Sequence, residues 1–574
     1  MSRSKISISL VALLALLVIQ SAEAAPGALD PSFGAAGKVT TAIGSGNEGI
    51  DVLALQPDGK LVAAGYSNNG SNDDFALARY NPDGTLDPVF GSGGKVTTAN
   101  GPSDDEAYAL ALQPDGKVVA AGYGSNGSQF GFALARYNPD GTLDPTFGSG
   151  GKVVTAIGSV GGARALALQP DGKLVAAGWS DGGSNYDFTL ARYNPDGSLD
   201  SGFGSGGVVT TAIGSGWDVA YALVLQPDGK LVAAGDSDNG SNHDFALARY
   251  NPNGTLDSGF GSGGVVTTAI GSGWATAYAL ALQPDGRLVA AGKGWDGTKS
   301  HFGFALARYD LDGTLDSTFG SGGKVTTAIG SFDDGARALA PQPDGRLLAA
   351  GNTWNGSNYD VALARYKTDG SLDKRFNETG KVTTAIGSAN DVANALALQP
   401  DGKLVAAGYS DGGSNYDFAL ARYRVSGTLT VARRGSGSGS VTSSPAGINC
   451  GPTCSAKFAI VPVTLTATPA SGSSFTGWAG ACSGTGSCTV TMGADRTVTA
   501  TFAALCVVPK VRGMTLRAAK RTIRGAHCSV GKVTYAFSAK VKKGRVISTK
   551  PKPGATRPTG WKVGLTVSKG KRAA

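Results

Sequence analysis

The first 449 of the 574 residues contain no cysteine. That long stretch cannot draw on disulfides or thiolate ligands for its stability. Histidine is almost missing too, with three in the chain. His243 and His301 occupy equivalent places in neighbouring repeats and His527 lies far downstream, too few for a histidine-built triad or zinc site. Residues 505–574 contain no Asp or Glu, yet hold 18 of the 51 Lys and Arg. The rest of the chain carries 33 basic and 43 acidic groups, so a net charge of +8 hides a body at −10. A basic tail on an acidic body suggests contact with an anionic polymer, while a merely solvated basic surface is the plain alternative. After residue 25 no apolar run is long enough to span a membrane. A helical period is absent from residues 29–423.

What is present in excess is glycine, 88 residues, spaced by repetition. A Gln-Pro-Asp-Gly turn occurs seven times, beginning at Gln56, Gln113, Gln169, Gln226, Gln283, Gln342 and Gln399. In the second unit Ala107–Leu112 (strand A) leads into the turn and Lys117–Gly122 (strand B) returns. Phe132–Tyr137 (C) and Lys152–Ile157 (D) follow, separated by a turn and an apolar hook bearing Leu143 and Phe147. In strand A large residues (Tyr108, Leu110, Leu112) alternate with alanines, and neither set is polar, so both sheet faces are covered. Four short strands per repeat, buried on both faces, are the pattern of propeller blades.

The ends of the array favour a ring. The chain begins with a hook, Leu29 to Gly34, and a lone D-type strand, Lys38–Ile43; the last unit has A, B and C but no D. Lys38–Ile43 is expected to pair beside Asp417–Tyr423, closing seven blades and removing two sheet edges. The Leu-Asp-x-x-Phe-Gly hook, the Gln-Pro-Asp-Gly turn and the Ala-Leu-Ala-Arg-Tyr strand resemble the bacterial delta-60 repeat over residues 29–423. The resemblance implies a propeller and no general activity.

Each C strand carries an arginine (Arg79, Arg136, Arg192, Arg249, Arg308, Arg365, Arg422). Each hook carries an aspartate (Asp30, Asp87, Asp144, Asp200, Asp257, Asp316, Asp373). A charge inside a covered sheet needs a partner, so these are expected to pair; an exposed ring of functional arginines is the rival reading. Alternating strand direction puts the B–C and D–A connections on one face. All five propeller tryptophans fall there: Trp179, Trp295 and Trp354 in B–C loops, Trp217 and Trp274 in D–A loops. Tyr186, Tyr359 and Tyr416 join them as candidate ligand-binding residues, with Phe332, His243 and His301 nearby. Aromatic rings among Asn, Asp and Ser suit a sugar, whereas packing between blades would be the structural use of the same rings.

Catalytic signals are weak. Gly178 to Gly182 and Gly408 to Gly412 match G-x-S-x-G, but lead into strands where a nucleophile elbow needs a helix. Asp236, Asp238 and Asp244 lack EF-hand spacing and read as turn composition. No catalytic residue, metal ligand or cofactor is assigned.

Met1–Ala25 reads as a signal peptide: Arg3 and Lys5, an apolar run from Ile6 to Ile19, then Ala22-Glu23-Ala24. An uncleaved anchor is the alternative. Downstream, spacing favours the bridges Cys450–Cys454, Cys482–Cys488 and Cys506–Cys528, with a zinc site from the first four as the rival. Gly435–Ser440 reads as a hairpin loop between strands. Residues 427–503, with Gly-x-Val-x-Ser-x-Pro, Phe-x-Gly-Trp and Thr-Val-Thr-Ala-Thr-Phe, resemble the divergent internalin-type B repeat, which implies a spacer or adhesive stalk. Thr515 reads as a helix N-cap, with a helix over Leu516–Arg524 stopped by Gly525. Strands follow at Val530–Phe537, Arg545–Thr549 and Lys562–Val567. Val-Pro, Gly-Met-Thr, Gly-Arg-Val-Ile-Ser and Lys-Pro-x-Pro-Gly in order resemble a PASTA domain, a family associated with peptidoglycan fragments and β-lactams. Here it stands as a single copy with no kinase or transpeptidase.

The sequence thus predicts a mainly all-β chain: signal peptide 1–25, seven-bladed four-stranded β-propeller 26–426, small all-β module 427–504, small α+β PASTA-like domain 505–574. The expected product is secreted, with no membrane span after signal removal and no nucleic-acid partner. The expected role is wall-associated binding or adhesion rather than catalysis. A glycan or protein would sit on the propeller, and peptidoglycan or another anionic wall polymer on the tail. An extracellular lyase or hydrolase is the alternative.

Overall fold

The computed structural model describes residues 26–572 apart from 184, 296–300, 426, 452, 459–461 and 493–495; the expected signal peptide lies outside the described residues. Seven antiparallel four-stranded sheets follow one another. In the second, A is Glu106–Leu112, B Val118–Ser125, C Phe130–Tyr137 and D Lys152–Thr155. The closing sheet borrows its outer strand from the start of the chain: Lys38–Thr41 pairs with Tyr416–Arg424, Lys38 opposite Ala421 and Thr41 opposite Phe418. Gly27 N donates to Arg424 O at 2.7 Å, so the chain enters and leaves the propeller at one point.

The core lies between sheets. Phe75 and Leu77 of the first blade meet Ala133 and Ala135 of the second, large side chains against small, in one fully buried layer. Ile50, Leu61 and Ala63 of the first blade pack with Ala397, Val405 and Phe418 of the last, so the layers run round a closed ring. Burying each such Phe or Leu contributes about 1.5–3 kcal/mol. The one polar atom on the C-strand tyrosine finds the preceding blade: Tyr137 Oη donates to Thr98 Oγ1 at 2.9 Å and Tyr250 Oη to Thr211 Oγ1 at 3.0 Å.

The arginines are paired, not free. All seven are 9 % exposed or less and stand 2.7 to 3.1 Å from their hook aspartates. Each also lies over the hook phenylalanine, as Arg136 does over Phe147 at 4.6 Å. A further bond crosses to the next blade: Arg79 Nη1 donates to Pro139 O and Arg136 Nη1 to Pro195 O, both at 2.5 Å. Arg422 donates likewise to Pro82 O, tying the last blade to the first.

Beyond the propeller, two sheets enclose a core of Leu429, Val441, Leu465, Trp478 and Phe502. The expected hairpin at Gly435–Ser440 does not form. Gly427–Arg434 has both edges occupied, by Ser455–Phe458 and by Arg496–Val507, so Gly439–Ser444 joins the other sheet and the glycine run crosses between them. Arg496–Val507 is one strand across residue 504: its end, Leu505–Val507, pairs with Thr556–Pro558. The three expected disulfides are present, Cys450–Cys454, Cys482–Cys488 and Cys506–Cys528, which leaves no thiolate for the zinc alternative.

Thr515 caps the helix, its Oγ1 accepting from Ala518 N at 3.3 Å. The helix runs Leu516–Gly525, one residue further than expected. Ala526 N still bonds Thr522 O, and His527 takes the positive φ of 55° expected of a terminating glycine. Ala519 and Ile523 face a three-stranded sheet with Lys562–Ser568 at its centre, between Ser529–Ala536 and Val546–Lys550.

Candidate functional site: the loop-bearing face of the propeller

Antiparallel order places the B–C and D–A loops at one end of every blade. A recurring bond ties several B–C loops to the D–A loop that follows: Asn72 Nδ2 donates to Ser103 O at 2.9 Å, Asn185 Nδ2 to Ser215 O at 3.1 Å, and Asn415 Nδ2 to Ser45 O at 2.8 Å. Buried carboxylates at the start of strand A hold the D–A loops. Asp105 accepts from Asn100 N at 2.7 Å and Gly101 N at 3.0 Å, and Asp218, Asp334 and Asp391 repeat the arrangement. Burial pushes Asp105 up to about 6. These acids hold backbone and are not free for chemistry.

The candidate aromatics form pairs along an arc rather than one cluster. Trp179 and Trp217 flank Tyr186, ring centres 4.3 and 4.9 Å away. Trp274 lies on His243 at 4.8 Å, Trp295 on Phe302 at 5.3 Å, Trp354 on Tyr359 at 5.1 Å and Tyr416 on Tyr409 at 5.0 Å. Trp217 and Trp274 are each 54 % exposed and Phe332 49 %. Trp217 and Trp274 pack on a ring of the preceding blade while more than half of each residue stays exposed. Trp179, Trp295 and Trp354 are half-buried.

A second ring of residues surrounds the axis. In each strand A the register slips by one, and the extra residue is Asp51, Tyr108, Arg164, Tyr221, Tyr278, Arg337 or Asn394. Such bulges re-aim a side chain. Here they bring neighbouring blades into contact. Arg164 lies 3.7 Å over the Tyr108 ring, Tyr221 and Tyr278 are 5.2 Å apart, and Asn394 Nδ2 donates to Asp51 Oδ1 at 3.2 Å. Tyr108 Oη donates to the Glu106 carboxylate. Burial, reinforced by Glu106, pushes Asp51 up to about 7. The bulge depends on glycine opposite: a Cβ on Gly122 would meet Glu106 O at 1.7 Å. Alternation alone did not disclose this ring. The available signal was the one position that varies in an otherwise repeated strand, x-Ala-Leu-Ala-Leu.

A cavity of about 220 Å³ joins the axial ring to the rim, lined among others by Tyr278, Lys293, Phe302, Arg337, Tyr359 and Tyr409. A larger hollow of about 490 Å³ opens beside the turns of the fifth and sixth blades, around Gln283, Arg287 and Gly345. Its Arg287 is already bound to Asp285, Asp310 and Asp316.

These features define a seven-bladed propeller with one uniform and one diversified face, followed by two small modules. Residues 56–90, 113–147, 169–203, 226–260, 283–319, 342–376 and 399–429 match the family described as "Domain of unknown function (DUF5122) beta-propeller". Residues 429–505 match the divergent InlB B-repeat domain and 507–569 the PASTA domain. The protein is a DUF5122 beta-propeller protein carrying a divergent InlB B-repeat and a C-terminal PASTA domain. That make-up is one of a surface or binding protein, and the disulfides and tail modules fit an extracellular setting. Among the described residues no helix is long and apolar enough to cross a membrane.

Solved structures resemble this chain only at low identity and low structural overlap. Polysaccharide lyase Uly1 is 12 % identical, covering 65 % of this chain and 89 % of its own, with a TM-score of 0.38. An ulvan lyase bound to -[GlcA(1-4)Rha3S]- is 12 % identical, covering 66 % and 94 %, with a TM-score of 0.40. Chaetomium thermophilum Sqt1 is 12 % identical, covering 67 % and 97 %, with a TM-score of 0.36. Likeness at this level carries no argument about activity.

Proposed function

We propose that this is a secreted, wall-associated binding or adhesion protein and not an enzyme. Its loop-bearing face takes a glycan or protein, and its PASTA domain contacts peptidoglycan. The observation that carries the reading is the arc of aromatic pairs with Trp217 and Trp274 each 54 % exposed. Exposed rings gathered on one face suit an interaction surface, and Trp is enriched where binding energy concentrates. The cavity of about 220 Å³ is small beside the pockets of drug-sized ligands, which typically measure about 300–1,000 Å³. The tail contributes 18 Lys and Arg and no Asp or Glu within residues 505–574, a charge pattern suited to an anionic wall.

Binding of the chain without its signal peptide to purified wall sacculi tests the reading. Retention is expected at low salt, falling as salt screens the tail. Trp217→Ala with Trp274→Ala should reduce binding of soluble glycans to the propeller at least tenfold while leaving wall retention unchanged. Absence of retention would remove the wall role, and unchanged glycan binding would remove the rim. One observation favours the enzymatic alternative: Asp51 and Glu106, both pushed up by burial, lie within electrostatic reach of one another and of Arg164, and Tyr108 Oη donates to the Glu106 carboxylate. Glycan cleavage abolished by Asp51→Asn and Glu106→Gln would establish it.

A further inference from the structure

The cavity beside the axis is unusual in its cations. Elsewhere in the propeller the structural cations are committed: the C-strand arginines to hook aspartates, and lysines of strand D to carbonyls, as Lys152 Nζ to Ala99 O at 2.9 Å. Lys293 and Arg337 are not. Lys293 Nζ stands 5.3 Å from the Phe302 ring centre and 5.8 Å from that of Tyr278. Arg337 Cζ is 5.7 Å from Tyr278, and its Nε donates to Asn352 Oδ1 at 3.2 Å. Among the described residues neither cation has a carboxylate within salt-bridge distance.

The nearby acids are largely engaged. Asp334 holds Ile329 N at 2.6 Å and is 2 % exposed. Asp236, which feels the Lys293 charge, is bound to His243 Nδ1 at 2.7 Å. Asp51, within reach of the Arg337 charge, accepts from Asn394. Asp51 and Asp236 each keep one oxygen without a hydrogen bond, and Asp333 is partly open, with one long bond at 3.5 Å from Phe302 N. Two cations without a carboxylate partner, near aromatic rings in a hollow of about 220 Å³, suit an anionic group attached to a flat apolar body.

We infer that this cavity receives one acidic sugar residue of a glycan. Lys293 and Arg337 hold its anionic group and Tyr278 and Phe302 lie against its ring. The inference rests on the proposal that the loop-bearing face binds glycans. It adds the charge class of the ligand and a site at the axis, inward of the tryptophans. Uronates and sulfated sugars share the required chemistry.

Calorimetric titration of the chain without its signal peptide tests it. The probes are oligogalacturonate, hyaluronan and alginate oligomers, the methyl ester of the oligogalacturonate, and a sulfated neutral oligosaccharide. At least one acidic probe is expected to bind, and for a uronate tenfold or more tighter than its ester. Lys293→Met with Arg337→Gln should weaken the acidic probe at least tenfold at an unchanged melting temperature. Binding of the sulfated probe alone assigns the anionic group as sulfate. Equal binding of acid and ester, or full binding by the double variant, overturns the cavity but leaves the rim, provided Trp217→Ala still weakens both. No binding by any probe overturns the cavity assignment, while the rim is judged by the glycan-binding and wall-retention experiments above.

Discussion

At the scale of single residues, the arginine and aspartate of each repeat decide stability. Asp144 lies 2.8 Å from Arg136 and 3.1 Å from Lys117, with both Arg136 and Asp144 buried. Removing one member of such a pair strands the other charge out of water. Asp144→Ala is therefore expected to cost about 3–5 kcal/mol, measurable by denaturant unfolding, and a loss below 1 kcal/mol would contradict the pairing. The same groups set the acid limit. Lys173 leads in holding Asp200 down at about 2, and Asp87, Asp257, Asp316 and Asp373 also lie below the usual carboxylate range. A depressed carboxylate contributes fully above its unfolded value near 4 and loses that contribution as pH falls through its folded value. Propeller stability should hold down to about pH 4 and drop steeply towards about pH 2. This pairing was legible from equal numbers in fixed places: a charge within a covered strand needs a partner, and each hook offered one. The axial residues were not. Tyr108 reads as one more large side chain in alternation with alanine, and only the slipped register shows it turned towards Arg164.

At the scale of elements, the strands were legible because period-two patterning and Pro-Asp-Gly turns are local signals. Partner choice is not local. The glycine run after Arg434 has hairpin composition, yet both edges of Gly427–Arg434 are claimed by distant segments, one of them parallel. The bulge in strand A belongs here too, since it requires Gly122 on strand B. Gly122→Ala would drive its methyl into Glu106 O. It is expected to cost about 1–3 kcal/mol as overpacking and to displace Tyr108 from Arg164. The checks are thermal unfolding and a crystal structure of the variant; an unmoved Tyr108 would show that the bulge does not depend on the glycine.

At the scale of the whole molecule, the ring rests on a strand from the far end of the propeller. Deleting residues 26–43 removes Lys38–Thr41, the buried Phe33, and Asp30, the partner of Arg422 and Lys403. The expected result in calorimetry is a lower and broader melting transition, restored by adding a peptide of residues 26–43. An unchanged melt would mean that the six complete blades and the open seventh stand without closure. Ring closure could be read in advance because an orphan strand at one end matched a vacancy at the other. The diversified face followed from chain direction alone. Ligand chemistry did not, because Lys293 and Arg337 come from separate repeats and meet only once the blades are stacked.

Gly27 hydrogen-bonded to Arg424 has a consequence for how such a chain can be cut and joined. With start and finish side by side, the circle has no obligatory origin. A short splice there and a new opening at any Gln-Pro-Asp-Gly turn would give a circular permutant that loses only the opened turn's own bonds and keeps the packing between blades. By the same adjacency the whole disc can hang from a host polypeptide at a single stitch, its diversified face left uncovered by whatever it is attached to.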